Sequence, residues 1–99
     1  MRVVLSDAAK LGLEQIGDYI ARDNPTRARS FIAELRTACL MLGEMPRAFP
    51  LVPRYESLGV RRRPHGNYSI FYRVDQDRVS VVQILHGPRD YEAILFPDP

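Results

Sequence analysis

The stretch that decides the fold is VRRRPHGNYSIFYRVDQDRVSVVQILHGPRDY, residues 60–91. Its β-branched and aromatic residues come in short runs, partly alternating with polar residues, which is typical of β-strands. They predict three consecutive strands: Val60 to Pro64, Tyr68 to Val74 and Arg78 to His86. Two polar segments are predicted to form the turns between them, because their residues favour tight turns: His65-Gly66-Asn67 and Asp75-Gln76-Asp77. Gly87-Pro88 ends the last strand, and a short helix is predicted from Arg89 to Phe96.

The first half of the chain predicts one strand followed by a helical hairpin. Arg2 to Leu5 is short and β-branched, and Ser6 is a suitable N-cap for the helix that follows. A second helix is predicted to begin at Asn24-Pro25, since asparagine caps helices and proline is tolerated at their first position, and to end near Gly43. Residues 43–59 contain three prolines, which exclude an α-helix or a central strand and predict a linker.

The predicted order of elements is therefore β-αα-βββ with a short C-terminal helix, which indicates an α+β fold. Strands grouped after a helical hairpin place both helices on one face of a small, mainly antiparallel sheet. With 99 residues the chain is expected to form one domain, spanning residues 1–99.

Composition argues against several classes of protein. Hydrophobic residues make up 45% of the chain and charged residues 26%, as in an ordinary globular domain. No apolar run is long enough for a membrane-spanning helix, and MRVVLSDAAK lacks the apolar region of a secretory signal. Cys39 is the only cysteine, and the spacing of His65 and His86 matches no metal motif, so we predict no disulfide, no metal site and no cofactor. These features fit a cytoplasmic protein.

Positive charge is concentrated in one region, although the net charge of the chain is only +2. Residues 54–73 contain five arginines and one acid, a local excess of +4 from five minus one: Arg54, Arg61, Arg62, Arg63, Arg73 and Glu56. Arginine forms bidentate pairs with carboxylates and phosphates. This region therefore either meets an anionic partner or forms a solvated basic face.

The last two strands are apolar on both faces. Regular alternation predicts two apolar sets on opposite faces: Ile70, Tyr72, Val81 and Leu85 on one, and Phe71, Val82 and Ile84 on the other. A sheet that is covered on one side alternates apolar with polar residues, and one helical hairpin covers only one side. We hypothesise that the C-terminal helix covers part of the second face and that another chain completes it. The alternative is that the tail and the proline linker cover this face fully.

The candidate chemistry is limited. His86 precedes Gly87-Pro88-Arg89-Asp90, which is either an acid–base site or a structural turn in which Asp90 caps the last helix. The strands also mix cationic with aromatic residues: Arg61, Arg63, Arg73, Tyr68 and Tyr72. Such a surface suits unpaired RNA bases and suits equally an acidic protein tail. Phosphate-stabilising arginines are plentiful, but no convincing acid–base pair for RNA cleavage accompanies them.

Two motifs in sequence carry a resemblance to a known family: Tyr68-Ser-Ile-Phe-Tyr-Arg-Val74 and, after a valine-rich strand, Ile84-Leu-His-Gly-Pro-Arg-Asp90. Together with Leu5-Ser6 before the first helix and Asn24-Pro25 at the hairpin, they resemble the ParE branch of the RelE/ParE toxins. The resemblance covers nearly the whole chain. It implies a RelE/ParE-like fold and the toxin half of a type II toxin–antitoxin system.

ParE-like toxins inhibit DNA gyrase, so the resemblance implies a protein-binding inhibitor with this target. It also implies a cognate antitoxin, ParD-like or similar, whose C-terminal segment wraps around the toxin. Contact with DNA is then expected only indirectly, through the antitoxin, and no contact with a membrane is expected. The following residues are expected to bind the antitoxin or the target: Arg61, Arg63, Tyr68, Tyr72, Arg73, His86, Arg89 and Asp90.

The sibling RelE branch cleaves mRNA on the ribosome and uses lysines, arginines and a tyrosine. Arg61, Arg89 and Tyr91 match part of this set, whereas Lys10, the only lysine, lies in the wrong part of the chain. A ribosome-dependent endoribonuclease therefore stays an alternative to gyrase inhibition. A toxin-fold interaction module without toxicity is the third possibility.

Overall fold

The computed structural model describes residues 1–87 and 89–97 of the chain. These residues form strands and helices in the predicted order: β1 (Arg2–Leu5), α1 (Asp7–Ala21), α2 (Pro25–Met41), β2 (Val60–His65), β3 (Tyr68–Val74), β4 (Arg78–His86) and α3 (Tyr91–Leu95). The predicted α+β class and element order are confirmed. The boundaries differ by one or two residues, since α2 ends before Gly43, β2 includes His65, and α3 begins after Asp90.

The two long helices begin where their capping residues predict. The Ser6 hydroxyl accepts a hydrogen bond from the backbone N–H of Ala9 at 3.0 Å. The Asn24 side-chain oxygen accepts one from the N–H of Arg27, also at 3.0 Å. Each cap satisfies a backbone donor that has no partner within its own helix. Because α1 ends at Ala21 and α2 begins at Pro25, the helices form a tight antiparallel hairpin.

The strand order in the sheet is β1-β4-β3-β2. The pairs β2–β3 and β3–β4 are antiparallel, and β1 pairs with β4 in parallel. The sheet is thus mainly antiparallel, as predicted. β1 pairs with β4 only from Arg78 to Val81, so the second half of β4 extends beyond the end of β1. The carbonyl oxygen of Ile84 in this second half lies close to α1, 2.9 Å from where a Cβ on Gly12 would stand.

A β-bulge in β4 changes which residues share a face. The register shows it in three pairs: Ile70 with Ile84, Phe71 with Gln83, and Tyr72 with Val81. Val82 is therefore an extra residue on β4. The predicted alternation is wrong at this point, because Ile84 lies on the face that carries Tyr72, and Leu85 lies on the opposite face. Adjacent apolar residues on both sides of Gln83 hide the bulge, because they fit either register of the strand.

Both faces of the sheet carry a buried core. The helical hairpin covers the larger one, which includes the following buried residues: Leu13, Ile16, Phe31, Leu35, Ile70, Tyr72, Val79, Val81 and Ile84. On the other face lies a smaller core whose buried members are Val52, Val60, Phe71 and Leu85. Linker and α3 residues pack over it, namely Tyr55, Tyr91, Leu95 and Phe96. The tail and the linker therefore cover this smaller core, and the hypothesis that another chain completes the face stays a prediction.

Candidate functional site

The alternation of β2 divides the arginine cluster between the two faces of the sheet. Arg61 and Arg63 pair with Tyr72 and Ile70 and so lie on the face of the helices. Arg62 pairs with Phe71 and lies on the face of α3. The predicted cluster is therefore not one continuous patch, because successive side chains of a strand point to opposite faces.

On the helical face, Arg61 and Arg63 bind the linker. The Arg61 guanidinium donates a hydrogen bond to the carbonyl of Phe49 at 2.7 Å. The Arg63 guanidinium carbon lies 4.8 Å from the centre of the Phe49 ring, a cation–π contact. The Nε and Nη1 of Arg63 are buried and have no acceptor among the described residues. Both arginines are thus used largely within the fold, where they hold the linker against the sheet.

Tyr72 has a similar internal role. Its hydroxyl donates a hydrogen bond to the carbonyl of Pro46 at 2.8 Å, and its side chain is fully buried. Burial raises the pKa of Tyr72, with smaller opposite effects from a backbone hydrogen bond of Phe49 and from Arg61 and Arg63. In this conformation Tyr72 offers no surface to a partner, although it was expected to bind one.

On the opposite face, two arginines hold α3. The Arg62 Nε donates to the Ser69 hydroxyl at 2.9 Å, and the Arg62 guanidinium lies 5.4 Å from the centre of the Tyr91 ring. Arg54 donates to both carboxylate oxygens of Glu92 at 2.7 Å. The Arg54–Glu92 pair raises the pKa of the Arg54 guanidinium. Together these contacts fix the short C-terminal helix over the smaller core.

Two of the three residues of the nuclease alternative, Arg61 and Tyr91, lie on opposite faces of the sheet. Arg61 lies on the helical face, where its guanidinium binds the Phe49 carbonyl. Tyr91 lies on the other face, and its ring packs 5.0 Å from that of Phe71. The arginine next to Tyr91 is Arg62, which sequence reasoning did not select. Side chains alternate between the two faces of a sheet along β2. This alternation is the sequence signal that places Arg62 on the face opposite to its neighbours.

The turn after β4 brings together four of the predicted binding residues. The rings of Tyr68 and His86 lie 5.1 Å apart, and the N–H of Arg89 donates to the carbonyl of His86 at 3.0 Å. The Asp90 carboxylate accepts from the N–H of Ala93 at 3.3 Å and caps α3. This is the structural role that the sequence offered as one of two possibilities for Asp90.

A groove lies beside this turn, between α1 and the end of β4. We call it the α1–β4 groove, and its volume is about 510 Å³. Its lining comes from α1, β3, β4, the turn and α3: Ala8, Leu11, Gly12, Gln15, Ile16, Tyr19, Tyr68, Gln83, Ile84, Leu85, His86, Arg89 and Ile94. Three of the predicted binding residues therefore contribute to one surface, namely Tyr68, His86 and Arg89. Arg73 is exposed on β3 and borders a different cavity.

The described residues give no indication of a metal centre or of an activated thiol. Residues 1–87 and 89–97 contain no cluster of three or more histidine, cysteine or acidic side chains that would hold a metal ion. Burial raises the pKa of the Cys39 thiol to about 11, so this thiol keeps its proton at neutral pH. None of the helices in these residues is both long and apolar enough to cross a membrane.

These features define a small α+β protein with a groove between α1 and β4 and with arginines on β2 that contact the linker and α3. The sequence matches the family model of the ParE toxin of the type II toxin–antitoxin system parDE over residues 3–91. The chain therefore belongs to the ParE toxin family. A comparison with curated protein sequences gives no match.

Two solved structures are similar to this fold. One belongs to the chromosomal ParDE toxin–antitoxin system of P. aeruginosa, with a TM-score of 0.71 and 19% sequence identity. The similarity covers 87% of this chain and 95% of that one. The other belongs to the RelBE2 toxin–antitoxin complex of Mycobacterium tuberculosis, with a TM-score of 0.64 and 20% identity, over 86% of this chain and 95% of that one. At these identities the similarity establishes the shared RelE/ParE-like fold.

Proposed function

We propose that this ParE toxin inhibits DNA gyrase in the cytoplasm and that a cognate antitoxin of ParD type neutralises it. Membership in the family supports the toxin–antitoxin system, and the ParDE title of the similar P. aeruginosa structure supports the type of partner. The observation that carries the proposal is the α1–β4 groove, because an open groove that combines apolar side chains such as Leu11 and Ile94 with polar ones suits a protein segment. Contact with promoter DNA is assigned to the antitoxin.

The disposition of the arginines also favours inhibition by binding over RNA cleavage. Arg61 and Arg63 contact the linker, and Arg54 is paired with Glu92. A nuclease of this kind needs a general base, a general acid and phosphate-stabilising groups around one scissile bond. Arginines that already bind the protein's own backbone and side chains are poorly placed to stabilise a phosphate during RNA cleavage.

One contact favours the nuclease alternative. The Arg62 guanidinium lies over the ring of Tyr91, so that a cation and a phenol stand together beside α3. Such a pair is able to bind a phosphate and a stacked base. A test of gyrase inhibition must therefore also measure RNA cleavage.

The experiment measures both activities on the same purified chain. We expect inhibition of gyrase-catalysed DNA supercoiling, and we expect an mRNA bound to ribosomes to stay intact. The variant with Arg62→Ala and Tyr91→Phe is expected to leave the mRNA result unchanged. Ribosome-dependent cleavage that this double variant abolishes would establish the nuclease alternative instead. A chain that neither inhibits gyrase nor arrests growth when expressed alone would point to a non-toxic interaction module.

A further inference from the structure

The face of the sheet opposite the helical hairpin is covered only in part. The α3 segment packs over the smaller core, in which Phe71 and Leu85 are buried. The next row of side chains crosses the sheet from β2 to β1, since paired residues of neighbouring strands point to the same face. It consists of Val60, Arg73, Ser80 and Val4. Arg73 and Val4 are exposed, so this half of the face stays open beside α3.

A groove lies where this open row meets α3. We call it the β3–α3 groove, and its volume is about 410 Å³. Its lining comes from the linker, the last three strands and the α3 segment: Leu58, Val60, Arg73, Val82, Gln83, Ile94, Leu95 and Phe96. Leu58 is 51% exposed and Ile94 is 36% exposed. Large apolar side chains that are grouped around a concave surface are typical of a binding site, whereas a single exposed leucine is ordinary.

Arg73 gives the β3–α3 groove a positive charge that no lining residue neutralises. The lining residues include no aspartate or glutamate. Within residues 1–87 and 89–97, Arg73 forms no ion pair. The nearest acid along the chain is Asp75, which accepts a hydrogen bond from Ser80 at 3.1 Å and lies 3.6 Å from the Nε of Arg78. A carboxylate on a partner would thus meet an available guanidinium, and the two would pair in a bidentate manner.

The lining favours a protein segment over a nucleic acid. A nucleic acid brings a phosphate backbone that several cations neutralise, and unpaired bases stack on exposed aromatic rings. The groove contains one arginine. Its one aromatic residue, Phe96, already stacks on Tyr55 with 4.0 Å between the ring centroids. Apolar side chains around a single guanidinium suit instead a protein segment in which apolar residues flank a carboxylate.

We infer that the β3–α3 groove binds an acidic, apolar segment of the toxin's target, DNA gyrase. A carboxylate of this segment pairs with Arg73, and its apolar side chains pack on Leu58 and Ile94. This inference rests on the proposed function, which names gyrase as the target. Gln83 and Ile94 line both this groove and the α1–β4 groove, so occupants of the two grooves would lie side by side at α3.

The test measures the concentration of purified chain that halves gyrase-catalysed DNA supercoiling. Arg73→Glu reverses the charge in the groove, and Leu58→Glu places a carboxylate on its apolar rim. Each is expected to raise this concentration at least about 30-fold, the effect of losing a hot-spot side chain. The matched controls are Arg29→Glu and Leu40→Glu, because both residues are exposed on α2 and lie outside the groove. The controls are expected to inhibit as the parent does.

Photo-cross-linking identifies the occupant directly. The photoreactive amino acid p-benzoylphenylalanine replaces Leu58 in one chain and Leu40 in a control chain. Each chain is irradiated with gyrase and DNA, and the cross-linked peptides are identified by mass spectrometry. We expect a gyrase peptide that contains aspartate or glutamate from the chain labelled in the groove, and none from the control. Circular dichroism of every variant shows that it is folded.

The outcomes separate this inference from the proposed function. Equal inhibition by the parent, Arg73→Glu and Leu58→Glu chains would overturn the groove assignment while leaving gyrase as the target. A parent chain that does not inhibit gyrase would instead contradict the proposed function itself. Cross-links from the groove to a second copy of the chain would make that copy the occupant. Binding of the parent to DNA without gyrase, abolished by Arg73→Glu, would assign the groove to a nucleic acid.

Discussion

Arg54 has a left-handed backbone conformation, with φ of 73°, that a residue with a Cβ adopts only at a cost. Its guanidinium pairs with Glu92 from a largely exposed position, and exposed ion pairs contribute little to stability. Arg54→Gly and Arg54→Val both remove the ion pair, but only glycine suits this backbone conformation. We expect the valine variant to unfold at a Tm about 4–8 °C below that of the glycine variant, as measured by circular dichroism. Equal Tm values would mean that the turn relaxes to an ordinary conformation.

The buried thiol of Cys39 is expected to make the stability of the fold depend on pH in the alkaline range. Its thiol has an ordinary pKa of 9.0, and desolvation in the core raises this pKa to about 11 in the folded chain. Between these two values the unfolded chain has lost the proton that the folded chain retains, so raising the pH favours unfolding. We expect the free energy of unfolding to fall by about 1.4 kcal/mol per pH unit in this window because of Cys39.

Denaturant titrations from pH 8 to 11 on the parent chain and on Cys39→Ala measure this contribution. The alanine variant has a smaller side chain in the core and is expected to be less stable at pH 8. Tyr72 also has a raised pKa and contributes to the alkaline slope of both chains. The difference between the two slopes therefore isolates the thiol. Parallel slopes would contradict a buried, protonated Cys39.

Residues whose contacts are local were predictable, whereas those with distant contacts were not. Ser6 and Asn24 cap helices through N–H groups three residues along the chain, and the residue types alone indicate this. Tyr72 bonds to Pro46, which lies 26 residues away, and Arg61 bonds to Phe49, which lies 12 residues away. No local pattern encodes such pairs. The sequence identified these side chains as notable but assigned them to a partner's surface.

The packing of α1 on β4 depends on one glycine. A Cβ on Gly12 would stand 2.9 Å from the carbonyl oxygen of Ile84, which belongs to a central strand and has little freedom to move. A Cβ on Gly17, in the same helix, would meet the side chain of Ile32 at 3.4 Å, an ordinary contact. A methyl group at Gly12 would therefore clash with the strand, whereas one at Gly17 would fit. Both glycines weaken the helix relative to alanine.

We expect Gly12→Ala to destabilise the chain by about 1–3 kcal/mol, because the clash outweighs the gain in helix propensity. Gly17→Ala, the matched control, is expected to stabilise it by about 0.5–1 kcal/mol. Urea denaturation of both variants measures the two free energies of unfolding. Stabilisation by both substitutions would show that α1 lies farther from β4 than the structure indicates.

The element order followed from the sequence, but the pairing within the sheet did not. Capping residues, prolines and turns punctuate the chain so clearly that β-αα-βββ is the natural interpretation. The bulge at Val82 lies in Val81-Val82-Gln83-Ile84-Leu85, where pairs of adjacent apolar residues flank one glutamine and alternation does not define the register. The α1–β4 groove was likewise not predictable, since it depends on how α1 and α3 pack relative to β4.

The arginines of the whole molecule perform different tasks. Arg63 holds the linker on the helical face of the sheet through a cation–π contact, and Arg54 holds α3 on the other face through an ion pair. At the α1–β4 groove, apolar side chains and Arg89 face outwards without such partners among the lining residues. Because the net charge of the chain is only +2, attraction of the proposed antitoxin would depend on where the cations face rather than on their number.

The proposed binding of an antitoxin at the α1–β4 groove, where Arg89 is the one arginine among the lining residues, predicts how salt affects the kinetics of binding. The Debye length, over which dissolved salt screens a charge, falls from about 10 Å at 0.1 M salt to about 3 Å at 1 M. We therefore expect the association rate constant to fall at least about tenfold between these concentrations, while the dissociation rate constant, set by apolar burial, changes less. Stopped-flow or surface-binding kinetics with the purified antitoxin measure both constants.

Two variants separate the charged from the apolar part of this site. Arg89→Gln removes a cation that steers the encounter, so its association rate is expected to depend less on salt than that of the parent. Leu11→Ala removes apolar contact area, so it is expected to speed dissociation and to leave the salt dependence of association unchanged. If salt acts mainly on dissociation, or if Leu11→Ala and Arg89→Gln alter the same rate constant, the charge of Arg89 is not what guides the antitoxin to the groove.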